Sequence, residues 1–132
     1  MKEPVWIEPN VVLAMHDRLL AEHGGPSGLR DSGLLESALA RPRHLWAYEQ
    51  PDIATLAAAY IAGIVRNHPF VDGNKRTGFM TGYVFLARND LQLIASEFEA
   101  TRYVFALAGG EMQEETVADW LRQNTEPRSV RN

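Results

Sequence analysis

Apolar residues recur along the chain at helical spacing almost everywhere, and glycine, proline and capping residues mark the breaks between the runs. Pro9 begins a segment with Val12, Met15 and Leu19 on one face, which predicts a first helix stopping at Gly24-Gly25. Asp31 predicts the N-cap of a second helix carrying Leu34, Leu35, Ala38 and Leu39, and Pro42 ends it. The stretch RHLWAYEQP, Arg43 to Pro51, reads as a loop. Asp52 predicts the cap of a third helix, ATLAAAYIAGIVRN, which is apolar nearly all round and so belongs at the centre of the fold. A fourth helix is predicted from near Asn74 through TGFMTGYVFLARN, and it too reads as buried.

Thr77, Gly78, Thr81 and Gly82 recur at a four-residue spacing that matches Ala57, Ala58, Ala62 and Gly63 on the third helix. Small residues on facing helices let two backbones approach closely. After Asp90 the segment LQLIA reads as extended, and Ser96 predicts the cap of a fifth helix with Phe98, Thr101, Phe105 and Ala108 on one face, closed by Gly109-Gly110. A sixth helix follows, with Glu114 and Glu115 in its first turn and Val117, Trp120 and Leu121 facing inward. The pattern is that of an all-α, single-domain bundle of about six helices over residues 1–124, with a polar, frayed C-terminal tail over 125–132.

Composition narrows this picture without changing it. A chain of 132 residues buries roughly two-thirds of its unfolded surface, enough to fold without a metal or disulfide staple. The net charge of -4 disfavours direct DNA binding, which calls for a basic stripe. There are no cysteines, so disulfide and thiolate chemistry are excluded and a reducing compartment fits. The N-terminus MKEPVWIEPN has no signal-peptide core, and the apolar run from Ile53 to Val65 is too short to span a bilayer. The expected location is the cytoplasm, away from membranes.

One stretch departs from the helical pattern. Between the third and fourth helices lies HPFVDGNKR, His68 to Arg76. If a helix begins near Asn74, the backbone N–H groups of Gly73, Asn74 and Lys75 have no intrahelical partner and converge at its positive end. Gly73 permits the turn that makes such a nest, and Lys75 and Arg76 add full charges. Phosphate is the natural ligand. Asp72 opposes a phosphate unless a hard divalent cation, Mg2+ first of all, is shared between carboxylate and phosphate oxygens. A free imidazole titrates near about pH 6.5, so His68 is the natural general base for a hydroxyl, a role worth roughly 10²–10⁴-fold in rate. Pro69 stiffens the exit from the third helix, and Phe70 reads as an apolar anchor.

Each part alone has a plainer reading: histidine as a helix cap, lysine and arginine as surface charges, D-G-N as a turn. Their combination at this spacing, ahead of a buried helix, favours chemistry.

HPFVDGNKR also resembles the signature of the Fic/Doc superfamily, and its Doc (death-on-curing) branch in particular. Fic proteins have histidine, proline, phenylalanine, two variable positions and glycine-asparagine-glycine-arginine, whereas the Doc branch has lysine at the second glycine, here Lys75. The N-terminal segment, with IEP, the GG turn and LRDSGLLESALARP in order, is similar to Doc-like proteins as well, and the likeness runs to about Trp120.

The resemblance implies a helical Fic fold and transfer of a phosphorus-containing group from ATP or another nucleotide to a protein hydroxyl. It implies His68 as general base, Asp72 as the Mg2+ ligand, and Gly73, Asn74, Lys75 and Arg76 as holders of the phosphates, with Arg76 also part of the catalytic set. Lys75 occupies the space where Fic enzymes seat the β- and γ-phosphates, so the Doc-like reading offers the γ-phosphate and makes the protein a kinase. By the same resemblance the chain is the toxin of a toxin-antitoxin pair, its target a threonine of elongation factor Tu and its brake a separate antitoxin protein. The self-inhibitory Fic motif has no match: the nearest run, SGLLES, ends in Ser37, and Glu36 reads as a helix-surface residue.

Two other readings stand beside the kinase. One is an adenylyltransferase of Fic type, and the other is an inactive nucleotide- or antitoxin-binding module that kept the fold. Trp46 and Tyr48 suit either a docking flap or the edge of the core. His16, His23 and His44 have no partner at a metal-ligand spacing and read as surface or structural.

Overall fold

The computed structural model describes residues 2–128. Six helices occur among them: α1 (Pro9–His23), α2 (Ser32–Glu49), α3 (Ile53–Asn67), α4 (Asn74–Arg88), α5 (Glu97–Ala108) and α6 (Glu114–Gln123). Two short strands, β1 (Leu91–Leu93) and β2 (Thr125–Pro127), pair antiparallel with Leu91 opposite Pro127 and Leu93 opposite Thr125. The molecule is mostly helical, as the apolar periodicity predicts. No helix among the described residues is long and apolar enough to cross a membrane.

The predicted caps form. Asp31 Oδ1 accepts from the N–H of Leu34, Asp52 Oδ1 from that of Thr55, and Ser96 Oγ from that of Glu99, each at 3.0–3.1 Å. Each side chain satisfies one donor that the first helical turn leaves over.

α3 is the axis of the bundle, and Leu56 through Val65 are buried without interruption. It packs against α2, α4, α5 and α6. The small residues of α4 do fit α3 closely: a Cβ placed on Gly82 would stand 2.6 Å from Ile61 Cγ1, and one on Gly78 would stand 3.0 Å from Val65 Cγ2. Gly63 serves a different neighbour. Its missing Cβ makes room for Ala38 of α2, 3.2 Å away, so the small residues of α3 are divided between two helices instead of all facing α4.

Three expectations are corrected. α2 does not end at Pro42 but continues to Glu49, so the segment from Arg43 is helical and not a loop. A proline inside a helix loses a hydrogen bond and costs about 3 kcal/mol. The apolar stripe Leu35, Ala38, Leu39, Pro42, Leu45, Trp46 nevertheless continues at helical spacing across it, with Pro42 buried. Trp46 packs against the core and meets Trp6 edge-on, while Tyr48 is 89% exposed. The loop on which a flap would sit is absent, and of the two rings Trp46 belongs to the core edge while Tyr48 does not.

The second correction concerns α5. Its buried residues are Ala100, Val104 and Leu107, whereas Phe98 and Phe105, on the apolar face that the sequence picks out, are 75% and 58% exposed. The helix carries two apolar stripes, and the one with smaller side chains fits against α3. The third correction is at the tail: Thr125–Pro127 are not frayed but pair with β1, and Arg128 N–H donates to Asp90 O at 2.9 Å. The remainder of the expected tail, 129–132, lies outside the described residues.

Candidate active site

Six residues, His68–Gly73, join the two central helices. His68 ends α3 in the left-handed region at φ 55°, and its N–H donates to Ile64 O at 3.1 Å. A side chain makes that conformation costly, and Arg30 helps to hold it. Its Nε donates to His68 O at 2.8 Å and its Nη2 to Asn67 O at 3.0 Å. These are the carbonyls a helix end leaves over, met by a cation at the negative end of the α3 dipole.

The connection between α1 and α2 runs alongside. Arg30 N–H and Asp31 N–H both donate to Pro69 O, and Val71 N–H donates to Gly28 O. Phe70 is buried against this bridge, as an anchor should be. The loop is therefore laced on one side by backbone hydrogen bonds.

On the other side Asn74 closes it. Its Oδ1 accepts from Phe70 N–H at 3.0 Å, and its Nδ2 donates to Phe70 O at 2.9 Å. The Asn74 side chain is consumed by the loop, which leaves only its backbone N–H to face a ligand. Gly73 adopts φ 81°, and α4 has neither a capping side chain nor an acid in its first turn. The first helical bond is Thr77 N–H to Gly73 O, so the N–H groups of Asn74, Lys75 and Arg76 have no helical acceptor. Two cations at the positive end of a helix oppose its dipole, an arrangement that an anion relieves.

A cleft of about 570 Å³ opens at this point. Asp72, Gly73, Lys75 and Arg76 line it together, opposite Thr101, Val104 and Phe105 of α5, with Leu19 and His23 of α1 at one side. Lys75 Nζ lies 5.1 Å from the centroid of the Phe105 ring, a cation over an aromatic face. His68 and Asn74 are not among the lining residues. His68 is exposed at the start of the same connection, and Asn74 is buried behind it.

Among the described residues no three His, Cys, Asp or Glu side chains are grouped to hold a metal ion. Asp72 contributes a single exposed carboxylate, and a Cβ placed on Gly25 would stand 2.5 Å from its Oδ2, so the glycine leaves room for it. One carboxylate beside an anion nest fits Mg2+, which keeps several waters and takes the rest of its oxygens from phosphates. It does not fit an ion that needs a cage of protein ligands.

Residue patterns overlooked two contributors, Arg30 and His16. Arg30 gives no local signal, because its partners are 37 and 38 positions away. His16 does give one. It sits one turn from Val12 in an apolar stripe, where a polar side chain is buried and bonded. Its ring stacks on Phe70 with centroids 3.8 Å apart, and its Nε2 lies 2.8 Å from Asp72 O.

The sequence model of the Fic/DOC family matches residues 6–86. The chain belongs to the Fic/Doc family. Protein kinase doc of Escherichia phage P1 is 35% identical over 118 residues, which cover 89% of this chain and 93% of that protein. Toxin Doc of Mycolicibacterium smegmatis is 42% identical over 83 residues, covering 60% of this chain and 62% of that toxin. Both relatives are Doc proteins, so this chain falls in the Doc branch. The family match spans α1 through most of α4 and holds every residue of the His68–Arg76 stretch, whereas the α5 wall of the cleft lies beyond it.

Proposed function

We propose that the protein is a Doc-type toxin kinase that transfers the γ-phosphoryl group of ATP to a threonine hydroxyl of a protein target, elongation factor Tu being the first candidate. The observation that carries this reading is the start of α4: a left-handed Gly73, no acid or capping side chain, three first-turn N–H groups, and Asp72, Lys75 and Arg76 lining one cleft. Both relatives support it through their names, one a protein kinase and the other a toxin.

In this mechanism the first-turn N–H groups and Arg76 hold phosphate oxygens and stabilise charge that develops on them, while Lys75 holds the nucleotide's remaining phosphates. Asp72 supplies a carboxylate oxygen to Mg2+, which when bound neutralises phosphate charge beside that carboxylate. His68, exposed at the mouth of the loop, accepts the proton of the attacking hydroxyl. The new bond joins the threonine oxygen to the γ-phosphorus, the bond from that phosphorus to the β,γ-bridging oxygen breaks, and ADP leaves. Lys75 stands where a bare glycine backbone serves adenylyl transfer, which favours phosphoryl transfer. A separate antitoxin and a cytoplasmic site of action belong to the same reading.

The test is to incubate the protein with elongation factor Tu, ATP and Mg2+ and to weigh the intact target. A gain of about 80 Da is expected for one phosphate. A gain of about 329 Da, one adenylyl group, would overturn the kinase reading. An unmodified target would remove elongation factor Tu as the substrate.

A further inference from the structure

His16 takes no part in the chemistry proposed above, yet it is 2% exposed and lies against the heart of the loop. Its Nε2 is 2.8 Å from the carbonyl oxygen of Asp72. A carbonyl can only accept, so Nε2 carries the proton and donates. The ring lies nearly parallel to Phe70, at 11°. Its Cδ2 and Nε2 are each 3.6 Å from the place where a Cβ on Gly73 would stand. One imidazole thus touches Phe70 and Asp72 and stands beside the face of Gly73 that a side chain would occupy.

The Asp72–Gly73 peptide is where the loop has the freedom to go wrong. Glycine accepts either sign of φ, so this peptide unit has two accessible orientations where other residues would have one. The unit is planar and trans, and its C=O and N–H point in opposite directions. Fixing the Asp72 carbonyl toward α1 therefore fixes the direction of the Gly73 N–H as well. The Asp72 carboxylate meets the other end of the same support, the close approach of Gly25 just after α1.

We propose that His16 is a positioning residue: by donating Nε2–H to the Asp72 carbonyl and stacking on Phe70, it holds the Asp72–Gly73 peptide in the one orientation that presents both the carboxylate and the anion-binding turn. This rests on the reading of Asp72 and Gly73 as the Mg2+ and phosphate holders. A purely structural histidine would contribute stability and leave ligand affinity unchanged.

The experiment uses the whole chain, with His16→Phe, which keeps the stack and loses the donor, and His16→Gln, which restores a donor at similar reach. Nitrogen-15 NMR of the ligand-free wild type should find His16 protonated at Nε2, with a single sharp Gly73 amide signal. In His16→Phe that signal should split or broaden, and calorimetric affinity for ATP with Mg2+ should fall about tenfold, with His16→Gln recovering to within about threefold of wild type. An Nδ1–H tautomer overturns the proposal, as does a folded His16→Phe that keeps both the Gly73 signal and the affinity. If His16→Phe does not fold, the wild-type tautomer and His16→Gln decide, and a folded glutamine variant with tenfold-weakened binding overturns it. A wild type that binds no ATP with Mg2+ would sink the kinase reading instead, and the tautomer and the Gly73 signal would then judge His16 alone.

Discussion

The two central helices begin in opposite ways. At the start of α3, Asp52 accepts from Thr55 N–H and Thr55 Oγ1, and Arg122 of α6 grips the same carboxylate through Nε at 2.6 Å and Nη2 at 3.1 Å. At the start of α4 the N-cap is a glycine, and the charged residues next to it along the chain are Lys75 and Arg76 after the cap and Asp72 one residue before it. Glu22 and Glu97 stand farther round the same cleft. α3 satisfies its positive end from within the chain, and that end serves stability. α4 leaves its first-turn donors without a partner in the chain, and the proposed function assigns them to phosphate. The same helix electrostatics produces both outcomes, and the capping residue decides which.

The sharpest way to break the contrast is to give α4 the start that α3 has. Gly73→Asp puts a carboxylate over the first-turn N–H groups and beside Asp72, where an anion is expected. Losing one preorganised donor costs roughly 10²–10³-fold, so covering the whole turn should cost at least about 10³-fold in phosphoryl transfer. Stability should fall by about 1 kcal/mol, because a side chain at φ 81° costs roughly 1–2 kcal/mol and an aspartate cap gains only a few tenths over glycine. Turnover together with a urea melt checks both halves. A variant that keeps its turnover would show that the start of α4 does not hold the phosphates.

His68→Ala sharpens the same contrast from the other end of the loop. The residue is exposed, so its removal should leave the melting temperature within a degree or two while lowering the rate by roughly 10²–10⁴-fold. Asn74→Ala is expected to behave the opposite way. It strands the N–H and C=O of buried Phe70, at about 1–3 kcal/mol for each unsatisfied group, so the melting temperature falls by several degrees. Circular dichroism melts of the two variants side by side test the division between a chemical and a structural residue.

That division also describes what the sequence discloses. Local features were legible: the caps at Asp31, Asp52 and Ser96, the buried run of α3 and the start of α4 all follow from neighbours within four positions. The HPFVDGNKR stretch stood out because its polar and charged residues crowd together, and four residues of the stretch line one cleft. Tertiary choices were not. Pro42 reads as a stop until the apolar stripe beyond it finds a core, and α5 offers two apolar faces of which only packing against α3 selects one. Arg30 and His16 act on carbonyls 37 to 56 positions away, and a backbone carbonyl leaves no mark in a sequence.

The smallest expected effect lies at the α3 end and separates the charge of Asp52 from its role as a cap. Hydrogen bonds from Arg122, opposed by partial burial and aided by Thr55, hold its carboxyl down at about 2, below the ordinary 3.8. The unfolded chain therefore takes up this proton first as pH falls. The contribution is complete above the ordinary value, shrinks as pH drops through it, and is gone below about 2. Asp52→Asn retains a good cap and removes the charge. Both partners are about half exposed, at 45% and 48%, which limits the pair to under about 1 kcal/mol after solvent screening. Urea melts of wild type and Asp52→Asn should thus differ by that amount at pH 7, draw together as pH falls through 3.8 and converge toward about pH 2, with turnover unchanged at neutral pH. A difference that does not vary with pH would mean that Asp52 acts only as a hydrogen-bonding cap, and that the ion pair contributes nothing to the closed start of α3.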